Sequence, residues 1–412
     1  MITVKAFSAL RPTEEYAKES AALPYDVMSS EEARKEVQGK PYSFLHIDKA
    51  EIDLDPSVGL YDDLVYEKAA ENLKKFEEIG VYKQDEKKSF YFYRQIMDGR
   101  AQTGIVGCAS IDDYIENRIK KHELTRADKE LDRIRHVDTC SAQTGPIFLT
   151  YKQSETLDQI IEKETEKVPL YDFVSDDGIR HTVWKSSSSG TDVEIEREFS
   201  KLDALYIADG HHRAASAVKA GLKRREKGYD GNEEFNYFLS VIFPAKSLRI
   251  FDYNRLLKDL GGKTVEEFLQ AVEETLGVVK EETSTEPYRP KELHTIGLFV
   301  GGKWYSVRFH ERICQEKEPS KRLDCAILQN AFLSPVLGIE DPRTDKRIDF
   351  VGGIRGLSYL EERCKADMSA AISMYPASLN ELMSVADAGE IMPPKSTWFE
   401  PKLRSGIFIH KI

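Results

Sequence analysis

Between residues 64 and 80 apolar positions recur at helical intervals, and Gly80 stands where a C-terminal cap belongs, so the pattern predicts a helix ending there. From 89 to 97 the chain turns aromatic and strand-like, Asp98-Gly99 supplies a hairpin turn, and 103–111 reads as the return strand. A helix is expected over 112–119 and another, rich in alternating charge, from Arg126 to about Cys140. Apolar runs at 145–151 and 235–243 read as buried strands, and 405–410 as a final strand completing a sheet. Prolines break 4–12 and 23–27 into short extended pieces across a sheet edge. The serine run at 186–190 reads as a flexible loop, and 281–291 as a loop or linker.

Composition adds limits to this outline. A chain of 412 residues, 41% hydrophobic and 32% charged, has apolar material for two domains. Its formal net charge of -12 repels polyphosphate backbones, which disfavours a nucleic-acid partner. No secretory signal pattern and no run of about 18 apolar residues is present, so the expectation is a cytoplasmic protein with no membrane partner. Five scattered cysteines lack metal or redox spacing and read as reduced, mostly buried thiols.

The chemistry concentrates at Tyr206-Ile-Ala-Asp-Gly-His-His-Arg213. A short apolar strand is broken by Asp209-Gly210, and helix formers follow from Arg213 to Ala220 with Gly221 as the expected stop. A helix start carries unpaired amides and the positive end of the dipole, so an anion is stabilised there, with Arg213 adding charge. Gly210 lets a phosphate come close to the backbone, and His211 and His212 add donors. Two other readings stand beside phosphate binding: a helix capped by Asp209, and a metal site, which would need a third ligand that nothing nearby clearly supplies. No metal ligands are assigned.

Asp-Gly-His-His-Arg after a strand resembles the phosphate-binding signature of the ParB/sulfiredoxin-like superfamily, in its free L-serine kinase branch. The order His122-Glu123, helix, Pro146-Ile147 strand and corner is similar to that branch, although about sixty residues intervene between Pro146 and Asp209, which implies an insertion. Lys395 and Thr397, in Met392-Pro-Pro-Lys-Ser-Thr-Trp-Phe399, resemble its Lys-x-Thr phosphate segment. Arg11-Pro12 and Pro24-Tyr25-Asp26 extend the likeness to the long bacterial form of that branch and to nearly the whole chain.

The resemblance implies an α+β fold with a mixed-sheet nucleotide-binding core over 1–250, carrying insertions. It implies a C-terminal α/β domain over 251–412 whose final segment returns to the active site. The expected activity is transfer of phosphate from ADP or ATP, with Mg2+, to free L-serine. Glu123 would act as general base and Asp209 as the second catalytic carboxylate, holding a metal or orienting the hydroxyl. Gly210, His211, His212, Arg213, Lys395 and Thr397 would contact nucleotide phosphates. The alternative is a nucleotide-switched regulatory protein without kinase activity. Read without the family, His122-Glu123 is a solvated helix end among Lys120, Lys121 and Arg126. A sulfiredoxin-like reductase would need a cysteine in the corner, where His211 and His212 stand. The residues leave the oligomeric state open.

Overall fold

The structure, a computed structural model, describes every residue except 285. Met1–Leu248 together with Pro401–Ile412 form one compact unit and Arg249–Glu400 a second.

The first unit is built on a mixed sheet of nine strands. In chain order they are β1 (Val4–Lys5), β2 (Tyr91–Met97), β3 (Arg100–Ser110), β4 (Ile119–Lys120), β5 (Ile147–Tyr151), β6 (Tyr171–Val174), β7 (Arg180–Lys185), β8 (Leu205–Asp209) and β9 (Tyr237–Pro244). Across the sheet they run β4-β8-β5-β9-β3-β2-β7-β6, with β1 paired to the end of β3. The pairs β4–β8 and β5–β9 are parallel and the rest antiparallel. Parallel neighbours require a long crossover, and the chain uses these crossovers for its helices. Four helices matter here: α1 (Asp63–Glu78), α2 (Ala127–Cys140), α3 (Ser189–Ser200) and α4 (His211–Arg225).

The elements form for local reasons that the packing then completes. The β2–β3 hairpin turns at Asp98 and Gly99, both at positive φ (50° and 75°), and its twist suits the flanking strands. Ile105, Leu149, Ile207 and Ile242 join Ala214, Ala217 and Val218 of α4 in the buried core, so one face of that helix is held by the sheet. Burying such side chains stabilises by roughly 25 cal/mol per Å² of apolar surface. The start of α4 is thereby fixed at the end of β8.

Several expectations change. Gly221 does not stop α4, which continues to Arg225. A Cβ at Gly221 would lie 2.4 Å from the Phe235 carbonyl oxygen, so the glycine serves a close helix-to-chain approach inside the helix. The helix expected at 112–119 spans Ile111–Ile115, because Asn117 turns to positive φ and Ile119–Lys120 joins the sheet as β4. The serine run is not a free loop: Ser188 accepts from the Thr191 N–H and caps α3. The final run does not complete the main sheet. His410–Lys411 pairs with Ala142–Gln143, while Ser405 and Ile409 make single bridges to Ala22 and Leu10.

The second unit carries a six-stranded antiparallel sheet of β10 (Tyr253–Leu257), β11 (Gly277–Glu281), β12 (Thr295–Val300), β13 (Lys303–Phe309), β14 (Ile348–Gly352) and β15 (Ala370–Ser373). Their order is β11-β13-β12-β15-β10-β14. With a large mixed sheet in one unit and a large antiparallel sheet in the other, the chain is α+β. Among the described residues no helix is long and apolar enough to cross a membrane.

Candidate functional site

The corner begins with a disturbance of the sheet. Opposite β5 the register of β8 shifts between Ile207 and Asp209, a bulge that leaves Ala208 without a paired residue immediately before the turn. Gly210 then takes a left-handed conformation (φ 91°, ψ 32°) as the N-cap of α4, and no side chain caps that helix. A substituted residue would be strained there. The helix therefore starts with amides that no cap satisfies, the condition under which an anion is attracted.

Asp209 is not the cap. Its Oδ1 accepts the Gly210 N–H at 2.8 Å and its Oδ2 meets Lys402 Nζ at 3.0 Å. Burial alone would raise its pKa, but Lys402, Arg213 and the Gly210 amide overcome that and hold the carboxyl below the usual carboxylate range. Some 32% of the side chain remains accessible, so solvent screens the pair. An ionised Asp209 is a weak proton acceptor and a firm electrostatic one. Lys402, missed in the sequence, follows Pro401 in the C-terminal segment and has no spacing relation to the corner.

His211 is buried and stays neutral, since burial together with His122 pushes its pKa down. Its Nε2 accepts the His122 N–H at 3.5 Å and its Nδ1 faces Glu123 Oε2 at 3.4 Å. With Nε2 accepting, the ring proton belongs on Nδ1 and is directed at the Glu123 carboxylate. Glu123 itself has 52% of its side chain accessible.

His122, expected on a solvated helix end, is buried at 2% exposure and stands edge-on to His211 with ring centroids 4.4 Å apart. The Ile207 carbonyl lies near the ring, yet neither ring nitrogen meets a partner in hydrogen-bond geometry. Burial pushes the imidazole down to about 4, so it is neutral at neutral pH. The helical spacing of the neighbouring charges gave no hint of this, because burial comes from the residues across the turn.

His212 and Arg213 are engaged by the protein. His212 Nε2 accepts the Arg126 N–H at 3.0 Å, satisfying an amide at the start of α2, which no side chain on its own segment caps. Arg213 donates from Nη1 to the Pro146 carbonyl at 2.6 Å, while its Nε is buried without a partner. Beside Arg213 lies a cavity of about 30 Å³ bordered by Tyr25, Arg133, His136, Thr144 and Ser216. Such a space takes a water or a phosphate oxygen, not a nucleoside. Tyr25, from the Pro24-Tyr25-Asp26 segment, lies under the Arg133 guanidinium at 4.0 Å.

The structure thus gathers Glu123, Asp209, Gly210, His211, His212 and Arg213 around the turn. Lys395 and Thr397 belong to the second unit. There Lys395 has positive φ (58°), its ammonium lies 5.6 Å from the Tyr253 ring centre, and its carbonyl accepts from Arg255. Among the described residues no group of three His, Cys, Asp or Glu side chains could hold a metal ion.

Fold and site together define an α+β chain with an uncapped, glycine-led helix start flanked by a carboxylate and two buried histidines. The chain belongs to the protein family of unknown function DUF1015, whose profile matches residues 4–326. No curated protein sequence matches the chain significantly. Among solved structures, a variant free serine kinase in complex with AMP shares 14% identity over 71% of this chain and 87% of that one, with a TM-score of 0.36. C-terminally truncated SbnI from Staphylococcus aureus shares 12% over 73% and 85%, with a TM-score of 0.38. A conserved hypothetical protein from Pyrococcus furiosus shares 17% over 73% and 93%, with a TM-score of 0.33.

Proposed function

We propose that this protein is a ParB/sulfiredoxin-like kinase that transfers phosphate from ADP or ATP to free L-serine, giving O-phospho-L-serine. The observation that supports it is the meeting of an uncapped helix start and an accessible carboxylate at one residue, His211.

In this reading the α4 amides and the unpartnered Arg213 Nε take the charge of the transferred phosphate, acting from fixed positions in a partly buried turn. Glu123, held by the His211 Nδ1 proton, accepts the proton of the serine hydroxyl as its oxygen forms the new bond to phosphorus. The bond between phosphorus and the bridging oxygen breaks, and the shortened nucleotide leaves with that oxygen. Asp209 remains ionised throughout, directed by Lys402 and the Gly210 amide.

Mg2+ would enter with the nucleotide, because the described residues offer no three-ligand cage whereas magnesium is commonly bound by one or two carboxylates plus phosphates. Asp209 is the carboxylate suited to hold it, and the ion would neutralise charge on the phosphates. Lys395 and Thr397 are carried into the reading as phosphate contacts by the resemblance of their segment.

The test is to incubate the purified protein with L-serine, Mg2+ and ADP or ATP and measure O-phosphoserine. Product with either donor, lost in Glu123→Gln, is the expected result; no product with either donor overturns the assignment. Nucleotide binding that persists without product and is indifferent to Glu123→Gln would instead support a nucleotide-switched regulatory protein.

A further inference from the structure

The second unit contains a charge that the fold does not neutralise. Arg255 lies on β10, between β14 and β15, paired there with Phe350 and Ile372. It is 4% exposed. Its guanidinium donates to the carbonyls of Tyr253 and Lys395, meets the Cys325 thiol, which burial keeps neutral, and stands 5.5 Å from the Phe350 ring centre; among the described residues it has no carboxylate partner. Burying a cation without a counter-charge costs several kcal/mol, and carbonyl dipoles return only part of it. Burial accordingly lowers the Arg255 pKa from its ordinary value, though a guanidinium stays charged near neutrality.

The same guanidinium borders a cavity of about 390 Å³ that also touches Cys325, Gln329, Asn330, Glu340 and Arg343. That is room for a small metabolite. Beside it the helix widens into π form over Gln329–Leu333, a distortion often found at functional sites. Gln329 is held in place by its bond to the Ile339 carbonyl at 2.7 Å. At the outer side Arg343 is neutralised by a two-pronged pair with Asp341, whereas Glu340 accepts from the Ser334 hydroxyl and, among the described residues, has no cation partner. One cavity therefore presents an unpaired buried cation and an unpaired exposed carboxylate. Cys325 bonds to the Ser396 hydroxyl at 3.1 Å, and burial pushes its thiol up, so it serves as lining and not as a nucleophile.

We infer that the second unit binds a small zwitterion of the free amino-acid class, its carboxylate on Arg255 and its ammonium toward Glu340. A polyanion such as a nucleotide is disfavoured by the acidic rim of Glu340 and Asp341. The inference does not use the Asp209 corner and shares with the kinase reading the segment of Lys395, whose carbonyl Arg255 meets.

Thermal unfolding and calorimetric titration of the full chain test it, with the twenty free amino acids, matched acids lacking the amine, and inorganic phosphate as probes. At least one amino acid should raise the Tm by about 5 °C at ~100 times its Kd. Its affinity should fall roughly tenfold to 150-fold in Arg255→Met, the loss of a charged hydrogen bond. Glu340→Gln, at an exposed position that folding does not need, should weaken the amino acid severalfold and leave the amine-free acid unchanged. No shift with any amino acid, a shift with phosphate alone, or unchanged binding in Arg255→Met would each overturn it; if Arg255→Met does not fold, the Glu340→Gln discrimination decides.

Discussion

The two units treat a charge set into the fold in opposite ways. At the corner of the first, Asp209 is met by Lys402 and the Gly210 amide, so the chain supplies its own counter-charge and the helix start beside it remains available to an anion. On β10 of the second, Arg255 meets carbonyl oxygens, the Cys325 thiol and an aromatic face, and among the described residues no carboxylate. The difference separates two kinds of site. One is pre-assembled and electrically settled, which suits chemistry on a ligand held beside it; the other is completed only when a ligand brings the missing charge.

The contrast can be broken at several points, the largest effect first. Glu123→Gln should lower O-phosphoserine formation about 100-fold to 10,000-fold with little change in nucleotide affinity, since it removes the base and keeps a side-chain oxygen facing His211 Nδ1. A rate within threefold of the parent protein would remove Glu123 from the chemistry.

Gly221→Ala should destabilise the first unit by about 3 kcal/mol, because the new Cβ meets the Phe235 carbonyl oxygen at 2.4 Å inside a packed helix. Denaturant unfolding followed by a probe in each unit should show the loss in the first unit alone. Equal loss in both would mean that they unfold as one.

The His122 imidazole sharpens the comparison through pH. Its folded pKa of about 4 lies below the unfolded value near 6.5, so between these limits the unfolded chain binds the extra proton. The contribution of neutral His122 is full above about pH 6.5 and lost as pH falls toward 4, by roughly 3 kcal/mol. His122→Phe, which also removes two unpartnered ring nitrogens, should flatten that slope in urea titrations at pH 7, 6, 5 and 4.

Lys402→Met should cost about 2 kcal/mol at pH 7, a figure kept small by the accessibility of Asp209. The Asp209 pKa is lowered by folding, so its contribution is present above the unfolded carboxylate value near 4 and lost as pH falls below it. The variant should therefore be weakened at pH 7 and converge on the parent in acid. Arg255→Met removes an uncompensated charge and should not show this loss at pH 7; equal destabilisation of the two variants would erase the distinction between the sites.

Much of this was legible in the chain itself. The hairpin at Asp98-Gly99, the helices near 64–80 and 126–140, and the strand, glycine and helix of the corner are written in residues a few positions apart. Such features follow from local φ/ψ preference and from the period of the apolar pattern, which act over a turn or a pleat. Gly221 shows the limit, since the glycine that ends many helices here lies within one, for a contact made by Phe235. The sequence alone determined that a strand ends in a glycine turn opening a helix at Asp209–Arg213. Only the tertiary structure decided that Lys402 pairs with Asp209 across 193 positions, that His122 is buried against His211, and that Arg255 meets no carboxylate among the described residues. Those outcomes depend on which distant segments the sheets bring together, and a charge carries no mark in the sequence of the partner it will meet.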